Sequence, residues 1–274
     1  NEVHSHAWDF VDQPLVYQAM FGGQLAQDGG QLKWVAPTDR FVELGVEAGN
    51  GRPFPGTPLH GNGINGGALL AHVGDDIGDS TSWRAGLSWL AARAEDRGYA
   101  DTAADGTPVH NAFTGSSRTW VVDGTLKWSP HGNATQRALK LQAEYLQRTE
   151  AGQLAAATDL LALAAPYDSR QSGWYLQGVY QFLPRWRFGA RYDALDAGAT
   201  HIGLVDSGLL PASAFPLLAP DSPSRTSLMF DWNPSEFTRL RAQYAWDDAR
   251  LDSRDRELFL QYLYGIGAHG AHKF

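Results

Sequence analysis

Eleven stretches of this chain alternate apolar and polar residues with a period of two, and the last of them is the clearest. In ELFLQYLYGI, Leu258, Leu260, Tyr262, Tyr264 and Ile266 stand at every second position. Glu257, Phe259, Gln261, Leu263 and Gly265 lie between them. A period of two is that of a strand whose two faces meet different surroundings. The chain then ends on Phe274. Outward faces of the same kind recur upstream: Leu32/Trp34, Val42/Leu44/Val46, Leu69/Ala71/Val73, Trp83/Ala85/Leu87/Trp89 and Trp120/Val122/Leu126/Trp128. They continue in Leu139/Leu141/Ala143/Tyr145, Trp174/Leu176/Tyr180, Trp186/Phe188/Ala190/Tyr192, Leu228/Phe230/Trp232 and Leu240/Ala242/Tyr244/Trp246. The spacing predicts an all-β fold, a transmembrane antiparallel β-barrel over 29–274. Eleven strands are visible. Bacterial single-chain barrels usually have an even number, so the expectation for the complete protein is at least 12 strands, and about 16.

The connections read as alternately short and long. Turns at 37–40, 75–80, 129–133, 184 and 233–235 fall at one end. Long irregular stretches at 50–64, 94–116, 151–169 and 197–223 fall at the other, with a short helix conceivable in LAAATDLLALAA. A soluble sandwich has no reason to sort its connections by end, whereas outer-membrane barrels do so. Residues 1–28 show no clean alternation and read as a long loop, folded into the lumen. Ten Trp and ten Tyr suit two aromatic girdles at the membrane interfaces. The chain has no cysteine, so it has no disulfide and no thiolate metal site. A net charge of −8 argues against a nucleic-acid partner.

The positions between the outward residues define the inner face, which carries charges of both signs. Lys33, Glu43, Glu47, Arg84, Asp123, Lys127, Lys140, Glu144, Arg187, Arg191, Asp193, Asp231, Arg239, Arg241 and Glu257 fall there. Such an interior is wet, because unpaired charge in a dry cavity is too costly. Two readings follow. The charges brace the wall by pairing across strands, or some of them line a constriction and bias ion passage. Arg187 and Arg191 on one strand, with Arg239 and Arg241 two strands on, form a basic ladder among which Asp193 and Asp231 intervene.

His4 and His6, two apart with Asp9 nearby, and His269 and His272 in GAHGAH are candidate Zn²⁺ ligands. The bland alternative is polar residues at strand and loop ends. No GxSxG, HExxH or GxGxxG motif is present, and the chain is read as a non-enzyme.

The stretch HAWDFVDQPLVYQAMFGGQLAQDGGQLKW, residues 6–34, resembles the constriction loop and following strand of phosphate-selective-type porins. The whole chain, most clearly in RQSGWYLQGVYQFLPRWRFGARYDALD and GAHGAHKF, is similar to an uncharacterised proteobacterial outer-membrane family labelled zinc-regulated or TonB-dependent-receptor-like. The resemblance implies a Gram-negative outer-membrane location, a further N-terminal part and a connection to zinc. No plug domain or TonB box is visible, which favours a porin-like channel for small hydrophilic solutes or ions over a receptor. The alternative is a receptor or adhesion barrel with a sealed lumen and ligand-binding loops. Expected partners are outer-membrane lipid and lipopolysaccharide, the barrel assembly machinery through the last strand with Phe274, and further copies of the chain in a homo-oligomer.

Overall fold

A computed structural model describes residues 8–57, 63–102, 108–157, 162–218, 220–235, 237–250 and 253–265. His4, His6, His269, His272 and Phe274 lie outside the described residues. Among the described residues there are eleven strands in one antiparallel sheet, ordered β1 to β11 along the chain. They are β1 (Gly29–Val35), β2 (Phe41–Gly49), β3 (Gly66–Ile77), β4 (Thr81–Thr102), β5 (Pro108–Trp128) and β6 (Ala138–Ala157). The others are β7 (Ala162–Leu183), β8 (Trp186–Ile202), β9 (Ser224–Ser235), β10 (Thr238–Arg250) and β11 (Ser253–Tyr264). Each strand pairs with its sequence neighbours; β1 and β11 are the two edges.

The register joins the apolar positions into one surface. Leu32 faces Val46, Val46 faces Leu69, Leu69 faces Trp89, and Trp89 faces Trp120. Leu141 stands between Leu126 and Gly178, and Phe188 between Tyr180 and Phe230. Ala242 continues the surface from Phe230 to Leu260. A slip of one residue on any strand would turn its apolar set to the other face, so the register is strongly specified. On this outer face large side chains stay exposed: Leu32 71%, Trp120 48%, Leu176 51%, Phe188 45% and Leu260 78%. A contiguous apolar exposure of this extent is foreign to a soluble monomer.

Aromatic residues bracket the surface, at Trp83 and Trp89 on β4, Trp120 and Trp128 on β5, and Trp186 and Tyr192 on β8. The members of a pair are six to eight residues apart, roughly 20–27 Å along a strand. That span fits the apolar band of a barrel once strand tilt shortens it.

Three expectations are corrected. The stretches 94–116 and 151–169 are largely strand, not loop: Arg97 pairs with Phe113, His110 with Ala157 and Asp168 with Ala151. Strands β4 to β7 hold 20 to 22 residues, about twice the 9–11 that cross a bilayer. Beyond the apolar band the outer face meets water, while the inner face buries Ala94, Phe113, Leu154, Ala156 and Tyr167 in a cluster with Leu204 and Phe215. The alternation fades there while backbone pairing persists, so the sequence pattern lost the strands. The stretch 197–223 begins as strand to Ile202, then carries a helix, α2 (Gly203–Asp206), and two short 3₁₀ turns.

The third correction lies in 1–28, which contains a helix, α1 (Leu15–Phe21). Leu15, Val16, Met20 and Phe21 are its buried residues. Gly22 ends it in the left-handed conformation at φ 61°, which a side chain would strain. Val16, Met20 and Phe21 form one cluster with Leu146 of β6 and Tyr175 of β7. Burial of each such side chain stabilises by about 1.5–3 kcal/mol. α1 therefore lies on the inner face of the sheet.

Candidate functional site

The inner-face charges and the segment Trp8–Phe21 form one network. The segment runs against β6 to β10, where Asp9, Asp12, Tyr17 and several of its backbone groups meet wall residues. Both carboxylate oxygens of Asp9 are engaged, by Lys140 Nζ at 2.9 Å and Arg187 Nη1 at 3.2 Å. Burial pushes the Asp9 carboxyl up, but Lys140 and Arg187 outweigh that and hold it below its ordinary value. Asp12 accepts from Arg191 Nη2 at 2.9 Å and Gln243 Nε2 at 2.5 Å, and also pairs with Arg225. The Val11 amide donates to Gln243 Oε1 at 2.7 Å and the Leu15 amide to Asp193 Oδ1 at 3.1 Å. Arg241 Nη2 donates to the carbonyl of Trp8 at 2.9 Å, and Arg148 Nη1 to that of Ala19 at 3.1 Å. Tyr17 donates to Glu144 Oε2 at 2.6 Å, beside Tyr175, which donates to Glu144 Oε1 at 2.7 Å.

The wall also pairs with itself. Asp231 is fully buried between Arg187 and Arg241, with Arg241 Nε at 2.7 Å and Arg239 Nε at 3.8 Å. Asp193, equally buried, accepts from Arg191 Nε at 2.7 Å. These pairings suit the low dielectric there, because an unpaired buried charge would cost several kcal/mol. The basic ladder is thus engaged, by Asp231, Asp193 and the segment's own Asp9 and Asp12.

A second clamp holds residues 53–57. Arg97 forms a two-pronged contact with Glu150, at 2.7 and 2.8 Å, and Arg97 Nη1 donates to the carbonyl of Pro55 at 2.7 Å. Its guanidinium lies 4.9 Å from the ring centre of Phe54 and 4.7 Å from that of Phe113. Phe54 in turn packs on Gly22, at the end of α1.

The remaining sequence candidates lie elsewhere. Lys33 is exposed on the edge strand β1, opposite Gly45. Arg84 approaches Asp123 at 4.0 Å, and His72 bridges towards Glu43 at 3.0 Å and Asp123 at 3.7 Å. Lys127 stands opposite Lys140 in the register. With Asp9, Lys140, Arg187, Asp76 and Ser82, Lys127 lines a cavity of about 660 Å³ at the end of the tight turns.

Of the metal-ligand candidates only Asp9 is described. Its engagement by two cations leaves it ill suited to a further one. No group of three or more potential metal ligands occurs among the described residues.

Asp12, Tyr17, Arg97, Arg148, Glu150, Arg225 and Gln243 were not among the sequence candidates. Extending the period of two past Glu144 reaches Arg148 and Glu150, and past Ser227 reaches Arg225. Arg97 lies beyond a register shift after Ala94, where parity no longer carries.

No protein-family model matches the chain. An uncharacterised protein of Aquifex aeolicus (strain VF5) is 28% identical over 290 residues, covering 100% of this chain and 57% of that protein. The chain thus spans little more than half the length of that relative. Among solved structures, the toluene transporter TodX of Pseudomonas putida aligns over 87% of this chain and 73% of its own, at 15% identity and a TM-score of 0.39. The deltaS2S3 mutant of the TodX monoaromatic hydrocarbon channel aligns with a TM-score of 0.37, at 15% identity over 87% of this chain and 74% of its own.

Proposed function

We propose that the protein is a porin-like outer-membrane β-barrel channel. It would pass small hydrophilic solutes or ions along a polar lumen narrowed by residues 8–21. The observation that carries this reading is the continuous apolar outer face over eleven strands, backed by a charged inner face. Among the described residues β1 and β11 each have one strand partner; in hydrocarbon both edges need a second, and closure of the wall is part of this reading. The cavity at the tight-turn end, about 660 Å³, serves as the vestibule beneath the narrowing. The reading extends to kinship with phosphate-selective-type or zinc-regulated outer-membrane proteins, which residues 6–34 and 170–196 support by their resemblance. A Zn²⁺ link rests on His4, His6, His269 and His272. Calorimetric titration tests it, since the heat of Zn²⁺ binding must fall when His4 and His6 become Ala.

A specific observation also favours a sealed receptor barrel: the segment is docked on the wall by buried ion pairs. Planar-bilayer recording of the complete protein separates the two. Discrete conductance steps support the channel. A correctly inserted but silent protein overturns it in favour of the sealed barrel.

A further inference from the structure

Three outward arginines stand just beyond the apolar band, at the ends of the strands away from the tight turns. Arg118 lies two residues outward of Trp120 on β5. Arg93 lies four residues outward of Trp89 on β4, and Arg170 four residues outward of Trp174 on β7. All three are exposed. They form one patch: Arg118 faces Thr149, which faces Arg170, while Arg93 pairs with Ser116, two residues from Arg118. Arg118 and Arg170 are thus two strand spacings apart, roughly 10 Å. Arg170 Nη2 touches Gln147 Oε1 at 3.2 Å. No ion pair involves any of the three among the described residues. Carboxylates come later along the same strands, Glu95 after Arg93 and Asp168 beyond Arg170. On the neighbouring β8, Asp196 sits beside Ser172, at the margin of the patch. From the apolar band outward, β4 and β7 therefore read aromatic, cation, anion.

We propose that Arg93, Arg118 and Arg170 form a docking site for the phosphate-bearing headgroup of an outer-leaflet glycolipid. This rests on the membrane reading above, because it is the hydrocarbon level that puts the arginines at headgroup height. Guanidinium matches phosphate in shape as well as charge, and two arginines about 10 Å apart suit a headgroup with more than one phosphate. The Trp rings beneath anchor at the same interface. The site holds lipid against the wall of β4 to β7, whose upper halves rise from the membrane without lipid support.

The test uses the complete protein in vesicles of neutral phosphatidylcholine, with and without a bisphosphorylated glycolipid, and counts glycolipid retained on extraction. The wild type retains it, and Arg93→Gln/Arg118→Gln/Arg170→Gln binds it roughly a hundredfold more weakly at low salt. The corresponding triple Lys variant keeps the charge but not the two-pronged geometry and binds between wild type and the triple Gln variant, and Arg118→Gln alone, which weakens binding by about fivefold, serves if the triple Gln variant does not fold. Equal retention by wild type and Gln variants overturns the inference. So does displacement of the lipid by inorganic phosphate at equal phosphate concentration, which would make this a site for the free anion. A wild type that fails to enter even neutral vesicles overturns the membrane reading itself.

Discussion

Asp12→Asn should loosen the inner segment without disturbing the wall. The side chain is largely buried and pairs with both Arg191 and Arg225, while Gln243 holds its other oxygen. Asparagine keeps the shape and one acceptor but removes the charge. A hydrogen bond to a charged group contributes about 1.5–3 kcal/mol, so weakening two of them costs the docked state about 3 kcal/mol. At 1.4 kcal/mol per decade, the undocked fraction rises on the order of a hundredfold. Val11 and Leu15 report this directly, because their amides donate to Gln243 and Asp193 rather than to Asp12. Hydrogen exchange at both should quicken by about two decades, as their protection tracks the local opening equilibrium. Amides of β8 and β9 should exchange as before. Unchanged protection at Val11 and Leu15 would refute the claim that the ion pairs hold the segment.

Acid should act through Asp9. Its carboxyl is held below the ordinary 3.8 in the docked state, so its contribution is complete above that pH and is lost as pH falls through the lowered value. Exchange at Val11 should be flat in opening constant from pH 7 to about 3.8 and rise only below it. Arg97→Ala leaves Glu150 buried without its two-pronged partner, a loss of about 3–5 kcal/mol. Limited proteolysis should then cut first in residues 53–57 and the upper hairpin of β4 and β5; cleavage at the wild-type rate would argue against the clamp. Asp231→Ala strands Arg187, Arg239 and Arg241 around an empty centre, and should lower the urea midpoint of refolding into vesicles more than Asp248→Ala, whose partner Arg254 is exposed.

The wall was legible in the sequence wherever one face is apolar and the other polar. All eleven outward sets named from spacing lie on one surface, from Leu32 to Leu260. Legibility failed where that contrast ends. In residues 94–102 and 151–157 the outer face meets water and the few buried apolar residues, Ala94, Leu154 and Ala156, lie on the inner face, so the outward apolar row that marks the rest of the wall is missing there. α1 is a single amphipathic stretch of seven residues, too short for a helical period to emerge, although Leu15, Val16, Met20, Phe21 and the Gly22 cap mark it in hindsight. Inner charges were found by parity, but their partners could not be. Asp9 and Asp12 meet arginines some 178 to 179 positions away, and no local spacing encodes such a contact.

Comparing Ala143→Arg with Leu141→Arg tests the central claim most directly. Leu141 is exposed on the outer face between Leu126 and Gly178, between the two aromatic rows. If hydrocarbon covers that face, arginine at mid-height, at Ala143 opposite Gly124, should cost about 2–4 kcal/mol of folding free energy in vesicles, and arginine at Leu141, two residues nearer the Trp128 row, should cost less but still measurably. A variant as stable as the wild type, with no dependence on position between the rows, would mean that the face meets water or another protein instead of lipid.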